Sequence, residues 1–123
     1  MADLGDWAVS NVPVWMMTDV ALPTRPTSWY VKLHLGAPSA AGTANAAVET
    51  TRQSADFGTT GLTNAADTAW TNVSTTETYS HISIWDNATT GNCLWQGALT
   101  TPVSVAAGDT FTIAAGDLDL AVS

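Results

Sequence analysis

The sequence predicts an all-β protein: an antiparallel β-sandwich, of jelly-roll or immunoglobulin-like type, with a short N-terminal helical segment. Three observations predict it. Short runs of alternating apolar and polar residues recur along the chain, parted by turns rich in Gly, Asn and Asp. Charged residues are only 11% of the 123, against about 25% in ordinary soluble domains. Thr, Ser, Asn and Ala take their place, and the β-branch of Thr packs well on a pleated sheet. Finally, a single stretch near the N-terminus has helical spacing. The length suggests one domain, able to bury roughly two-thirds of its extended-chain surface. Residues 1–26 read as a helical arm and connector, and 27–123 as the sandwich.

In order along the chain, DLGDWAVSNVPVWMMTDVAL (3–22) is the helical stretch. Leu4, Trp7, Val12, Trp15 and Met16 approximate a helical stripe, and Asp3 or Asp6 can cap its start. Pro13 either kinks this helix or opens a second short one. LPTRPT (22–27) is an extended connector stiffened by Pro23 and Pro26. SWYVKLHL alternates cleanly, with Trp29, Val31, Leu33 and Leu35 on one face and Tyr30, Lys32 and His34 on the other. GAPSAAGTANAA (36–47) is a long loop of small residues, of a length often functional or ordered by a partner. VETTRQSADF, TAWTNV and ETYSHISIWD read as strands, followed by a polar corner and CLWQGAL. Toward the C-terminus, Val103 and Val105, then Phe111 and Ile113, then Leu118, Leu120 and Val122 alternate in three further runs.

Each constellation that could carry chemistry has a simpler reading. In the corner after Trp85, alternate positions are Asp86, Ala88, Thr90 and Asn92. A helix-flanked calcium loop needs more carboxylates and a closing Glu, so this reads as a hairpin corner with Gly91 supplying positive φ. Asp117 and Asp119 alternate with Leu118 and Leu120, the pattern of an edge strand with a wet side. His34 and His81 lie within strands, and no G-x-S-x-G elbow, P-loop, G-x-G-x-x-G or H-E-x-x-H is present. Cys93 is the single cysteine and reads as a small core residue, with no internal disulfide open to it. Neither an enzyme nor a cofactor or metal protein is expected.

The net charge is −8, with three cations, Arg25, Lys32 and Arg52. That excludes a phosphate-tracking patch, so no nucleic-acid partner is expected. No run approaches the ~20 apolar residues of a membrane-spanning helix, so no membrane partner is expected either. The opening MADLGDW is acidic and lacks a basic n-region, which suggests manufacture and assembly in a cytoplasm. Trp29, Trp70, Trp85 and Trp95 lie in apolar strand contexts and read as core, while a sugar-stacking platform would need coplanar exposed aromatics.

WYVKLHLGAPSAAGTANAAVETTRQSADF, then Asn64, then HISIWDNATTGNCLWQGALTTPVSVAAGDTFTIAAGDLDL resembles a family of small virion proteins of tailed bacteriophages, described as tail-fibre, head-fibre or capsid-decoration proteins. The likeness runs from about Trp29 to Val122. It departs at Ala46, where the family pattern has Glu after Asn, at Glu49–Thr51 before Arg52, and at Thr90-Gly91, where the family has a Gly pair.

The resemblance implies a non-enzymatic virion component, first of all a capsid decoration protein on the outer surface of the head, assembled in the bacterial host cytoplasm. Its expected partners are the major capsid protein and itself, as a homotrimer. A tail-associated or tail-fibre protein is the alternative, and a carbohydrate-binding sandwich for host attachment is a further one. Three regions are expected to make protein contacts: the N-terminal segment (Trp7, Val12, Trp15, Met16, Met17), the loop 36–47 (Pro38, Asn45) and Arg52 as a salt-bridge partner across an interface.

Overall fold

The structure is a computed structural model that describes residues 2–21, 26–58, 63–118 and 120. Its strands are β1 (Ala2–Leu4), β2 (Trp29–His34), β3 (Gln53–Ala55), β4 (Thr68–Trp70), β5 (Glu77–Trp85), β6 (Cys93–Val105) and β7 (Phe111–Ile113). One helix, α1 (Asp6–Met17), follows β1. All strand pairings are antiparallel, in a five-stranded sheet of order β1-β6-β5-β2-β3 and a two-stranded sheet β4-β7. The expected sandwich-like, all-β architecture is present.

Period-two patterning sets which side chains meet. Register pairs Val31 with Ile84 and Leu33 with Ile82, so these four project from the same face of the large sheet. The small sheet covers that face with Trp70, Phe111 and Ile113, and the C-terminal residues Leu118 and Leu120 join them. Trp70 stacks on Phe111 at 5.6 Å and donates its indole N–H to the Thr51 carbonyl at 2.8 Å. Trp29 and Trp95 pack against the cluster from its margin. Burying one large apolar side chain contributes about 1.5–3 kcal/mol, so this cluster is the main favourable term of the fold.

Tyr79 is fully buried with its ring 5.2 Å from Phe111, and its hydroxyl has no hydrogen-bond partner. A buried orphan hydroxyl costs about 1–3 kcal/mol. Tyr79→Phe keeps the ring packing and removes the orphan, so thermal melts should show a fold more stable by about 1 kcal/mol. A loss of stability would reveal a partner for the hydroxyl and overturn that account.

The structure corrects several boundaries. Ala2–Leu4 does not start the helix but pairs with Gly97–Trp95 of β6, so the N-terminal arm supplies an edge strand of the main sheet. Pro13 lies inside α1 rather than dividing it. The strand read from VETTRQSADF shrinks to β3. Val103 and Val105 are not a separate strand, because β6 runs through Pro102. Pairing passes from Tyr79–Val103 to His81–Ala98, so the residues between Ala98 and Val103 bulge opposite Ser80. Within that bulge Pro102 owes no N–H to the ladder. Of the alternation ending at Val122, Asp117 lies in a turn and Leu118 outside any strand, while Asp119, Val122 and the connector residues 22–25 are outside the described residues.

The second face of the large sheet is covered as well, which the alternation of β2 did not foretell. Leu35 is exposed while His34 is fully buried. The cover is the loop 36–47. It leaves β2 and closes back on it through Leu35 N to Asn45 O at 2.8 Å and Ala47 N to Leu33 O at 3.1 Å. The start of α1 docks beside it: Gly5 N donates to Leu94 O at 2.7 Å, and Asp6 N, an otherwise orphaned helix donor, to Ala40 O at 2.8 Å.

Candidate functional site

The buried polar groups of the second face form one chain of hydrogen bonds. His34 Nδ1 lies 2.8 Å from the Ala44 carbonyl, which can only accept, so Nδ1 carries the proton. Nε2 is then the acceptor, and Ser83 Oγ, 2.7 Å away, donates to it. Ser83 Oγ in turn accepts the Trp85 indole N–H at 2.8 Å. Every polar atom of this chain is satisfied with His34 neutral, and burial pushes its pKa below the ordinary 6.5. A hydroxyl donating to an imidazole is the geometry of an activated serine. Here His34 and Ser83 are both 0% exposed, so no substrate reaches them without opening the fold. The group instead fastens the loop 36–47, through Ala44, to β2 and β5.

Cys93 is buried beneath the same loop, its thiol directed at the Trp95 carbonyl 3.4 Å away. Burial, assisted by the charge of Asp6, pushes its pKa up to about 11. The thiol is therefore protonated at neutral pH and a poor nucleophile. Gly42 crosses above it at φ +73°, where a side chain would be strained and its Cβ would sit 2.5 Å from the sulfur. Among the described residues, no three or more His, Cys, Asp or Glu side chains group as a metal set.

The corner after β5 is held by its own polar residues. The Asp86 carboxylate accepts from Asn92 N at 2.7 Å and Asn92 Nδ2 at 3.0 Å. Asn87 Oδ1 accepts from the backbone of Thr89 and Thr90. Arg52 reaches across from the segment before β3, stacks over Trp85 at 4.0 Å, and donates from Nη1 to Asn87 O at 2.9 Å and Thr90 O at 2.8 Å. The corner reading holds, and Arg52 is a clamp within the chain before it is anything else.

The other predicted contact residues fall into distinct groups. Pro38 is buried beneath its own loop and cannot present a surface. The loop lies on this chain's own sheet, with Pro38, Gly42 and Ala47 buried and its outer residues, Ser39, Ala41 and Thr43 among them, exposed. Asn45 is exposed, with its Nδ2 donating to Ala37 O at 2.9 Å to close the loop. Trp7 and Val12 are half-buried where α1 meets the sheet. Trp15, Met16 and Met17 project outward, at 50%, 64% and 81% exposure, with Val9, Val14 and Val20 exposed as well.

Helix α1 is not the amphipathic segment that the spacing predicts. Val12 to Met17 are six consecutive apolar residues, and at about 100° per residue they face every direction. Only Ala8 of this helix is fully buried. The N-terminal half is pinned by Gly5 and Asp6, and the C-terminal half stands off the body with bulky apolar side chains uncovered. A helix apolar all round is ordinarily enclosed, and this end of α1 is instead left exposed. No helix of the described residues is long and apolar enough to cross a membrane.

Asn64 is a structural residue that site reasoning passed over. It is buried and bonds both segments of its neighbouring turn: Oδ1 accepts from Gly116 N at 3.0 Å and Leu118 N at 2.9 Å. Its Nδ2 donates to Ala66 O at 3.1 Å and Ala114 O at 3.0 Å. An Asn flanked by small residues carries no periodic signal, so only the three-dimensional arrangement reveals the role.

Comparison with known proteins yields a match to the family model described as podophage GP4 fiber I protein gp80, over residues 5–121. No curated protein matches the chain.

Proposed function

The chain belongs to the podophage GP4 fiber I protein family, a phage virion structural protein, and on that premise we propose that it is a non-enzymatic fibre subunit fastened to the particle through the C-terminal half of α1. The uncovered apolar end of that helix carries the reading. Trp15, Met16 and Met17 offer the large, adaptable apolar groups that anchor protein interfaces, and Gly5 and Asp6 hold the helix in a set position over Cys93. The fibre description of the family moves the reading from capsid decoration, the first expectation from the sequence, to its fibre alternative. The partners are then a neighbouring virion protein and further copies of the chain. The strand tryptophans lie in or against the core, which leaves no strand-borne aromatic platform to favour the sugar-binding reading.

Imaging of particles with the chain labelled tests the location, and Trp15→Asp with Met17→Asp tests the helix. Label confined to fibres is expected, with the doubly substituted chain folded but missing from particles. Label spread over the head lattice would restore decoration. Full incorporation of the doubly substituted chain would remove α1 from the interface.

A further inference from the structure

Arg52 has an unused edge. Its Nη1 gives both of its hydrogens to the corner carbonyls of Asn87 and Thr90. A guanidinium has five N–H groups, and the three on Nε and Nη2 have no partner among the described residues. The nitrogens of that edge are not sealed in the interior, because Tyr79 Oη alone, among the described residues, is a buried side-chain polar atom lacking a partner, and Arg52 lines a surface cleft. The stack on Trp85 and the two Nη1 bonds fix the plane of the group, so the free edge is a preset fork of the kind that meets a carboxylate in a bidentate pair.

Lys32 stands beside it. The two line a cleft of about 530 Å³ with Thr50, Thr51, Ala88 and Thr89. Burial and, after it, the Arg52 charge push the Lys32 pKa down, with Cys93 opposing and no carboxylate offsetting them. The nearby Asp86 lends Arg52 some charge, but both of its oxygens are taken by Asn92. Two of the three cations of a −8 chain thus share one cleft without an ion pair among the described residues. Like charges held together cost energy that an added anion recovers.

The complementary groups lie on the opposite side of the sandwich. The cleft is on the face of the large sheet that carries Lys32, Ser83 and Trp85, while β4-β7 covers the other face. Asp109 and Asp117 flank β7, both exposed, with no side-chain hydrogen bond among the described residues. Asp67, by contrast, is engaged with Ala115 N at 2.9 Å.

We propose that the Arg52–Lys32 cleft is a carboxylate-binding site whose occupant is the β7 end of a second copy of this chain, at Asp109 or Asp117. The contact joins unlike faces, so it is heterologous: repeated, it extends as a filament or closes as a ring. It rests on the reading of the chain as a virion subunit but not on the docking of α1.

Sedimentation of the purified full chain tests it. Lys32→Glu reverses one charge at a side chain with no hydrogen bond among the described residues, and Asp109→Asn with Asp117→Asn removes the other half. Wild type should grow with concentration, and each variant alone should weaken association at least tenfold. Mixed one to one, the two variants should form dimers and stop there, because each supplies one intact half. Trp15→Asp should still associate. Wild type that stays monomeric, variants that associate as wild type does, or a mixture without dimers would overturn the proposal. So would association lost with Trp15→Asp alone, which assigns the contact to α1. Galacturonate bound at the cleft of a monomeric chain would likewise overturn it, by giving the fork a different occupant.

Discussion

Asn64→Leu is expected to lower the stability of the fold by about 2–3 kcal/mol, although the side chain keeps the same number and branching of heavy atoms. Four side-chain hydrogen bonds disappear, but they do not count equally. Ala66 and Ala114 are exposed, so their carbonyls turn to water. Gly116 N keeps a second acceptor, the Asn64 carbonyl at 2.8 Å. Leu118 N keeps none, and Leu118 is a buried core residue. The loss is therefore concentrated on one buried N–H and on the turn that brings Leu118 into the cluster, where an orphaned donor carries its full desolvation cost. Against a total of about 5–15 kcal/mol for a domain, that is a large fraction. Thermal unfolding should show it, and amide exchange should show early loss of protection at Leu118. A decrease under about 1 kcal/mol would mean that water or a neighbour replaces the amide and that Asn64 is no hub.

The second large effect is acid sensitivity set by His34. Burial is the main cause of its lowered pKa, and the charges of Lys32, His81 and Arg52 add to it, with the Ala44 hydrogen bond opposing. In the unfolded chain the imidazole takes a proton near the ordinary value of about 6.5. Below that pH the unfolded state holds more protons than the folded one, so stability rises with pH there and falls as pH falls. The contribution is intact above about 6.5 and drains by up to about 1.4 kcal/mol per pH unit until the folded-state pKa is reached. Protonation also makes Nε2 a donor, so Ser83 must reverse its bond while still accepting from Trp85. The loop 36–47, tied to the ring at Ala44, should loosen first. Denaturant melts at a series of pH values check this: wild type should lose stability between pH 6.5 and 5, and His34→Gln, less stable throughout, should be flatter in that window. Parallel curves would show that His34 does not carry the linkage.

Some of this protein was legible in its residues. Period-two alternation placed β2, β5 and β7, because a strand with one face on a core must repeat every second residue. Turn residues located the corner after Trp85, because Asn, Asp and Gly bond locally and tolerate its dihedrals. The strand tryptophans read as core because large aromatics amid β-branched neighbours have nowhere else to pack. The N-terminal segment was legible as apolar, though its Trp and Met spacing suggested a stripe where the helix is apolar all round.

The rest depends on contacts between residues far apart in the chain. Alternation cannot reveal a second covered face, so it put His34 on the face of Tyr30 and Lys32 with nothing to mark it as buried, and the loop 36–47 is what closes over it. Composition could mark Arg52 as a rare cation, but only the fold lays it on Trp85, fastens Nη1 to the corner, and turns its free edge toward Lys32. Pro38 read as a contact residue because its loop of small residues could lie flat on another protein, and it is buried because that loop has a sheet of its own chain to lie on. Local pattern records what each segment prefers. Which preferences are satisfied inside the chain, and which are left for a partner, follows from the packing of segments that are distant in sequence, and that is a property of the whole fold.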